Sequence, residues 1–298
     1  MFEGRKMAVG IAPIGWTNDD MPQLGDDIPF ERCIDEIAQA GFTGTEVGGK
    51  FPTDPAALKN ALDARGLRIA SQWFSSFLCE QPYEANEAEF VKQLNFLAAL
   101  GADRVNVCEL THCLFASPES MFGHNKPIAT DAEWSKLCSG LNKLGAIASD
   151  RGFKLCFHHH MATVVQTVAE TRRLMENTDP DLVFLCFDTG HFTFSNEDAV
   201  QAAMMFSPRI GHVHLKDIRP DKMKQAYAEG FSFRKAVLEG CFTIPGDGCV
   251  DFPTVFGILD QSGYEGWLLV EAEQDPAKAN PLQYATMARD YIAKQTGI

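Results

Sequence analysis

The chain has no apolar run near the roughly 20 residues that a membrane span requires. Its opening, MFEGRKMAVGIAP, lacks a long apolar segment behind its charged residues, so no signal peptide is expected. No CxxC pair occurs among the nine cysteines, which argues against a thiolate zinc site or a disulfide framework. Reduced, mostly buried thiols in a cytoplasmic protein are expected instead. No Lys/Arg cluster builds a basic stripe, and the net charge is −14, so a nucleic-acid partner is not expected. No low-complexity tract or linker divides the 298 residues, so one domain over 1–298 is expected.

What is present is alternation. Apolar runs at Met7–Ala12, Gly44–Val47, Leu67–Trp73 and Arg104–Cys108 read as strands. Helical spacing follows them at Phe30–Ala40, Asp54–Arg65, Glu84–Leu100 and Asp131–Arg151, the last with Asp131 as its expected N-cap. The second half repeats the rhythm. Strands Phe153–Phe157, Leu182–Phe187, Ile210–Leu215 and Trp267–Val270 alternate with helices Val164–Glu176, Asn196–Phe206, Phe252–Ser262 and Pro276–Lys294. Eight such units predict an α/β (β/α)8 barrel with a parallel sheet. The rival doubly wound sheet usually carries GxGxxG after its first strand, and none follows Met7–Ala12. Two connections, 110–130 and 218–250, are long and follow strand ends, so both are lid candidates, with Phe231, Phe233 and Phe242 as an apolar underside.

Four strand ends carry potential metal donors: His158, Asp188, His214 and Glu271. In a parallel barrel these ends meet at one mouth. Two imidazoles and two carboxylates suit a divalent transition ion. Alternation puts His158 and His160 on one face, with His159 opposite, so His160 is the substitute fifth-strand ligand. His212, His214 and Lys216 likewise share a face, with His212 deeper and structural and Lys216 above His214. Glu46 ends the second strand and points to the same mouth, and Glu273 shares a face with Glu271. His191 follows Asp188 by a sharp Gly190 turn and is expected to face substrate.

The run Gly10-Ile11-Ala12-Pro13-Ile14-Gly15-Trp16-Thr17-Asn18-Asp19-Asp20 closely resembles the inosose dehydratases of myo-inositol catabolism. So do Cys156–Thr163, Asp188–His191, His212–Asp217, Pro245–Gly248 and Val270–Asp275. The broader resemblance is to xylose-isomerase-like barrels, which include sugar epimerases and endonuclease IV. Their pattern of Glu, Asp, His and Glu after strands five to eight is met by Asp188, His214 and Glu271, with His158 in place of the first Glu.

The resemblance implies dehydration of 2-keto-myo-inositol (scyllo-inosose) to a trihydroxycyclohexane-1,2-dione, a manganese or cobalt requirement, and an association with glutathione. Elimination β to a ketone needs a base for the α proton, an enolate stabiliser and an acid for the leaving hydroxide. Lys216 or Glu46 is expected as base and His191 as acid, with the roles exchangeable. Asn18, Gln72, Glu109 and Arg219 are expected polyol contacts, because each lies at or just past a strand end, and Trp16 and Trp73 are expected either to stack on the C–H face of the ring or to fill the core. The partner expected is a small polyol ketone, and a homo-oligomer is compatible with the fold. Three rivals stand beside this reading: a sugar isomerase or epimerase, an endonuclease-IV-like phosphodiesterase, and a non-catalytic polyol-binding protein.

Overall fold

The apolar runs do form parallel strands, and those strands close on themselves. The computed structural model describes residues 1–298. The barrel strands are β1 (Met7–Ile11), β2 (Gly44–Thr45), β3 (Arg68–Ile69), β4 (Trp73–Ser76), β5 (Arg104–Glu109), β6 (Lys154–His158), β7 (Val183–Asp188) and β8 (Ile210–Leu215), with β11 (Gly266–Val270) last. A separate antiparallel ribbon pairs β9 (Asp217–Ile218) with β10 (Phe242–Thr243). Hydrogen bonding runs in the order β3-β2-β1-β11-β8-β7-β6-β5-β4. β3 and β4 are two pieces of one barrel position. The first bonds to β2 and the second to β5, so the third stave joins both neighbours and the eight-fold barrel is complete. The expected single strand 67–73 is thus interrupted at Ala70–Gln72 and extends to Ser76.

The main apolar core lies between the staves and the surrounding helices, where Val105, Val107, Leu155 and Leu185 are fully buried with Leu94, Leu141 and Phe256. The lumen is polar. Arg104 donates to the carbonyl oxygens of Gly211 and Glu265, and Asn106, one pleat above, reaches Glu46 and Ser71. Alternation along β5 therefore turns Val105, Val107 and Glu109 outward.

Helix ends follow side-chain chemistry. The helix Asp131–Asp150 is capped by Thr130 in a reciprocal box with Glu133, so the cap is one residue earlier than Asp131. The helix expected from Val164 begins at Val168, because Thr167 and Glu170 form a second such box. The expected helix Asn196–Phe206 is shorter, at Ala199–Phe206, and a separate helix Thr189–Phe194 precedes it, capped by Asp188 itself. The terminal helix runs Pro281–Thr296. No helix is long and apolar enough to cross a membrane.

The connection 218–250 carries more structure than expected. It holds helices Pro220–Glu229 and Phe233–Leu238 as well as the β9–β10 ribbon. The connection 110–130 contains only a short turn of 3-10 helix at Gly123–Asn125. Phe115 and Met121 from the shorter connection bury against Phe231, Phe233 and Phe242 from the longer one, forming one apolar cap. The backbone of Met121 donates to the carbonyl of Phe231, which ties the two together.

Candidate metal centre

The cap covers a cluster of buried polar groups at the C-terminal strand ends. His158 closes β6, Asp188 closes β7, His214 lies in β8 and Glu271 follows β11. One donor atom from each lies within 4.8 Å of all the others. His158 Nε2 is 3.1 Å from His214 Nδ1 and 3.4 Å from Asp188 Oδ2, and His214 Nδ1 also contacts Glu271. Asp188 Oδ1 accepts the His191 N–H at 2.9 Å, which fixes the carboxylate, while Oδ2 has no hydrogen bond. That buried oxygen, 3.3 Å from the Lys216 ammonium, 3.4 Å from His158 and 3.8 Å from His214 Nδ1, sits where added positive charge is favourable. Burial alone would lower the His214 imidazole, but Cys186 and the carboxylates of Glu271 and Glu46 hold it well above its usual range. The field there favours positive charge. Nitrogen and oxygen donors in this number fit a divalent ion such as manganese, cobalt or zinc.

The other ring nitrogen of His214 is held from below. Its Nε2 is 3.1 Å from Glu46 Oε1. The same oxygen accepts from Asn106 Nδ2 at 2.8 Å, from the Ser71 hydroxyl and from His212 Nε2 at 3.3 Å. Burial pushes the Glu46 carboxyl up, yet His214 and His212 outweigh it and hold it well below the usual carboxylate range. A carboxylate that strongly ionised, spent on four donors, is a poor proton acceptor and a good clamp for an imidazole. Burial takes His212 down to about 4. His159 turns away, stacks on Phe192 and accepts the Asp188 N–H, as alternation requires.

Lys216 is fully buried. Its ammonium lies 2.8 Å from Glu271 Oε1, 2.8 Å from His191 Nε2, 3.1 Å from Glu273 Oε1 and 3.3 Å from Asp188 Oδ2. Burial would lower Lys216, but Asp188, Glu271 and Glu273 hold it well above its usual range. It is a fixed ammonium rather than a free base. A Cβ on Gly190 would collide with its stem, so the Asp-Thr-Gly-His turn needs glycine to let the lysine through. Burial and then His160 and Lys216 depress His191 well below the usual imidazole range, so it stays neutral.

A cavity of about 330 Å³ opens beside the cluster. Its walls include Glu46, His214, Glu271, Glu273, His160 and Gln72. Lys216 and His191 are enclosed behind Glu271 and Glu273 and do not line it. This differs from their expected position facing substrate. Of the expected polyol contacts, Gln72 lines the cavity with its Oε1 free, and Trp73 lies beside it. The other four are scaffolding. Trp16 donates to Glu36 at 2.7 Å and packs in the core. Asn18 accepts the backbone N–H groups of Asp20 and Met21. Glu109, turned outward, accepts from Ser76, Leu78 and Thr111. Arg219 pairs with Asp247 at 2.7 Å and with Gly240, which holds the cap together.

Two residues weighed lightly in the sequence face the cavity. His160 Nδ1 is 2.8 Å from the Met161 carbonyl, so that nitrogen carries the proton and Nε2 is a bare lone pair, 3.9 Å from Glu273. Burial raises Glu273 to about 7, with Lys216 opposing. The signal for both was the two-residue period beyond the strand end, His158 to His160 and Glu271 to Glu273.

Comparison with known proteins agrees with this architecture. Residues 34–294 match the xylose isomerase-like TIM barrel family. An inosose dehydratase of Clostridium tetani is 51% identical over 298 residues, covering 100% of both chains. One of Geobacillus thermodenitrificans is 50% identical, again over 100% of each. Among solved structures, the IOLI protein with a binding zinc atom superposes with a TM-score of 0.74 at 14% identity, covering 98% of both chains. The chain belongs to the inosose dehydratase family, within the xylose isomerase-like TIM barrels.

Proposed function

We propose that the protein eliminates water from 2-keto-myo-inositol to give a trihydroxycyclohexane-1,2-dione. The observation that carries this reading is the convergence of His158, Asp188, His214 and Glu271 beside a polar cavity, in a chain half identical from end to end to inosose dehydratases. Those four residues would hold one divalent ion, for which the resemblance to inosose dehydratases implies manganese or cobalt; the mixed imidazole and carboxylate donors suit a divalent transition ion. When bound, such an ion supplies Lewis acidity toward a carbonyl oxygen and so favours the enolate.

The chain's own residues do the rest. Glu46 orients the His214 ring and does not act as base. Gln72 binds a polyol hydroxyl through its free Oε1. His160, a cavity-lining imidazole that burial holds well below its usual range, takes the α proton on its bare Nε2. Glu273 gives a proton to the departing hydroxide and recovers one from His160, whose Nε2 lies 3.9 Å away and has taken the α proton, while the Lys216 ammonium, held by His191 from behind, stays charged. The apolar cap excludes water from the reacting ketone.

The reading places the enzyme in the cytoplasm with a small polyol ketone as its partner. Glutathione acts as a thiol protectant within it, since seven of the nine free cysteines are buried and only Cys113 and Cys249 are reachable. The test is turnover of scyllo-inosose followed by the absorbance of the dione. His160→Ala is expected to lower kcat about 10²–10⁴-fold, the usual range for a general base, with KM little changed. An isomeric ketose in place of the dione would convert the reading to an isomerase, and full activity of His160→Ala would remove its assigned role.

A further inference from the structure

We propose that Lys216 fills a second cation seat beside the first, and that removing its ammonium turns this seat into a divalent-metal site. The inference deepens the metal reading above and rests on it for the identity of the neighbouring position.

The seat is built from His191, Glu271 and Glu273, whose donor atoms lie within 4.8 Å of one another. Asp188 closes it, with Oδ2 at 3.3 Å from the ammonium. Around Lys216 Nζ there are therefore one imidazole nitrogen and four carboxylate oxygens, counting both oxygens of Glu273 at 3.1 and 3.0 Å. An ammonium has three protons and cannot satisfy five acceptors. Two oxygens, Glu273 Oε2 and Asp188 Oδ2, are left without a hydrogen bond although both residues are almost fully buried. One imidazole with several carboxylate oxygens is also the donor type of a divalent ion.

The two positions share walls. Glu271 turns one oxygen to His214 and the other to Lys216. Asp188 Oδ2 lies 3.4 Å from His158 and 3.3 Å from Lys216. Carboxylates placed between two cations in this way are the framework of two-metal sites. Charge points the same way. The buried carboxylates Asp188 and Glu271, together with Glu273 when it is ionised, are balanced by one divalent ion and one ammonium. Without the ammonium, one uncompensated negative charge stays buried, and its cost draws in another cation. A tethered ammonium differs from a metal in two useful respects. It cannot dissociate, and it donates directed hydrogen bonds to Glu271 and Glu273.

The experiment counts ions. Full-length wild type, Lys216→Ala and Lys216→Gln are stripped with chelator, equilibrated with excess Mn²⁺, washed, and assayed for manganese per chain. Low-temperature electron paramagnetic resonance reads spin coupling. Both variants are expected to hold one more Mn²⁺ than wild type, with exchange coupling of a close pair. Adding Glu273→Gln to Lys216→Ala is expected to return the count to the wild-type value. Equal counts in wild type and both variants would overturn the proposal, as would an extra ion that shows no coupling. A variant that unfolds when stripped and refolds with Mn²⁺ supports it, and one that stays unfolded with Mn²⁺ opposes it. Wild type holding no Mn²⁺ would sink the metal reading itself; the seat is then decided by the count alone, because a lone ion has no neighbour to couple to.

Discussion

The two sides of the His214 ring make opposite demands. Below Nε2, Glu46 gathers hydrogen bonds from Asn106, Ser71 and His212, and its Oε1 is fully engaged, although Asn106 Oδ1 and His212 Nδ1 stay unpartnered. Above Nδ1, Asp188, Glu271 and Glu273 crowd two imidazoles and one ammonium, and oxygens remain unpartnered. In the proposed mechanism the lower layer positions and the upper layer reacts. A fully connected network rigidifies a barrel lumen, whereas an over-supplied set of acceptors awaits cations and protons.

Breaking the upper layer should have the largest effect. Asp188→Asn or Glu271→Gln is expected to lower kcat/KM by on the order of 10³-fold or more, since several kcal/mol of charge stabilisation go with the ion. Manganese content should fall with activity. Breaking the lower layer should cost less. Glu46→Gln is expected to weaken metal affinity and activity by about 10–100-fold, the usual effect of losing a carboxylate behind a ligating histidine. Excess Mn²⁺ should recover much of it, which a catalytic base would not allow.

Gly190→Ala probes the join between layers. Its Cβ would overlap the Lys216 stem, so a stability loss of about 1–3 kcal/mol in urea unfolding is expected, with reduced kcat. Trp16→Phe should sharpen the contrast from outside. It removes the bond to Glu36 and is expected to cost about 1 kcal/mol of stability with KM unchanged. The smallest effect is expected for Cys249→Ser, which should leave kcat/KM within about twofold and reduce any protection by glutathione, with Cys113 the other reachable thiol.

Much of the upper layer was legible in the sequence because each donor ends an apolar run, and parallel staves bring such ends together. His158, Asp188, His214 and Glu271 needed only that rule. Alternation alone could have rejected Glu109, which lies on the opposite face of its strand from the lumen residue Asn106. The role of Glu46 was not readable, because its partners Ser71, Asn106 and His212 come from three other staves. Lys216 and His191 were expected to face substrate, but whether a side chain stands before or behind its neighbours depends on packing depth, which no period encodes. The helices within 218–250 did have signals in Pro220 at a first turn and Gly230 at a left-handed cap. Their apolar positions serve the cap over the mouth, which blurred the period expected of a helix packed on the barrel.

The most direct test of the central claim is turnover of scyllo-inosose by protein stripped of metal with a chelator. The account predicts that activity is lost, and that Mn²⁺ or Co²⁺ restores it in wild type but not in Asp188→Asn. Undiminished dione formation by stripped protein, or equal restoration in Asp188→Asn, would contradict it.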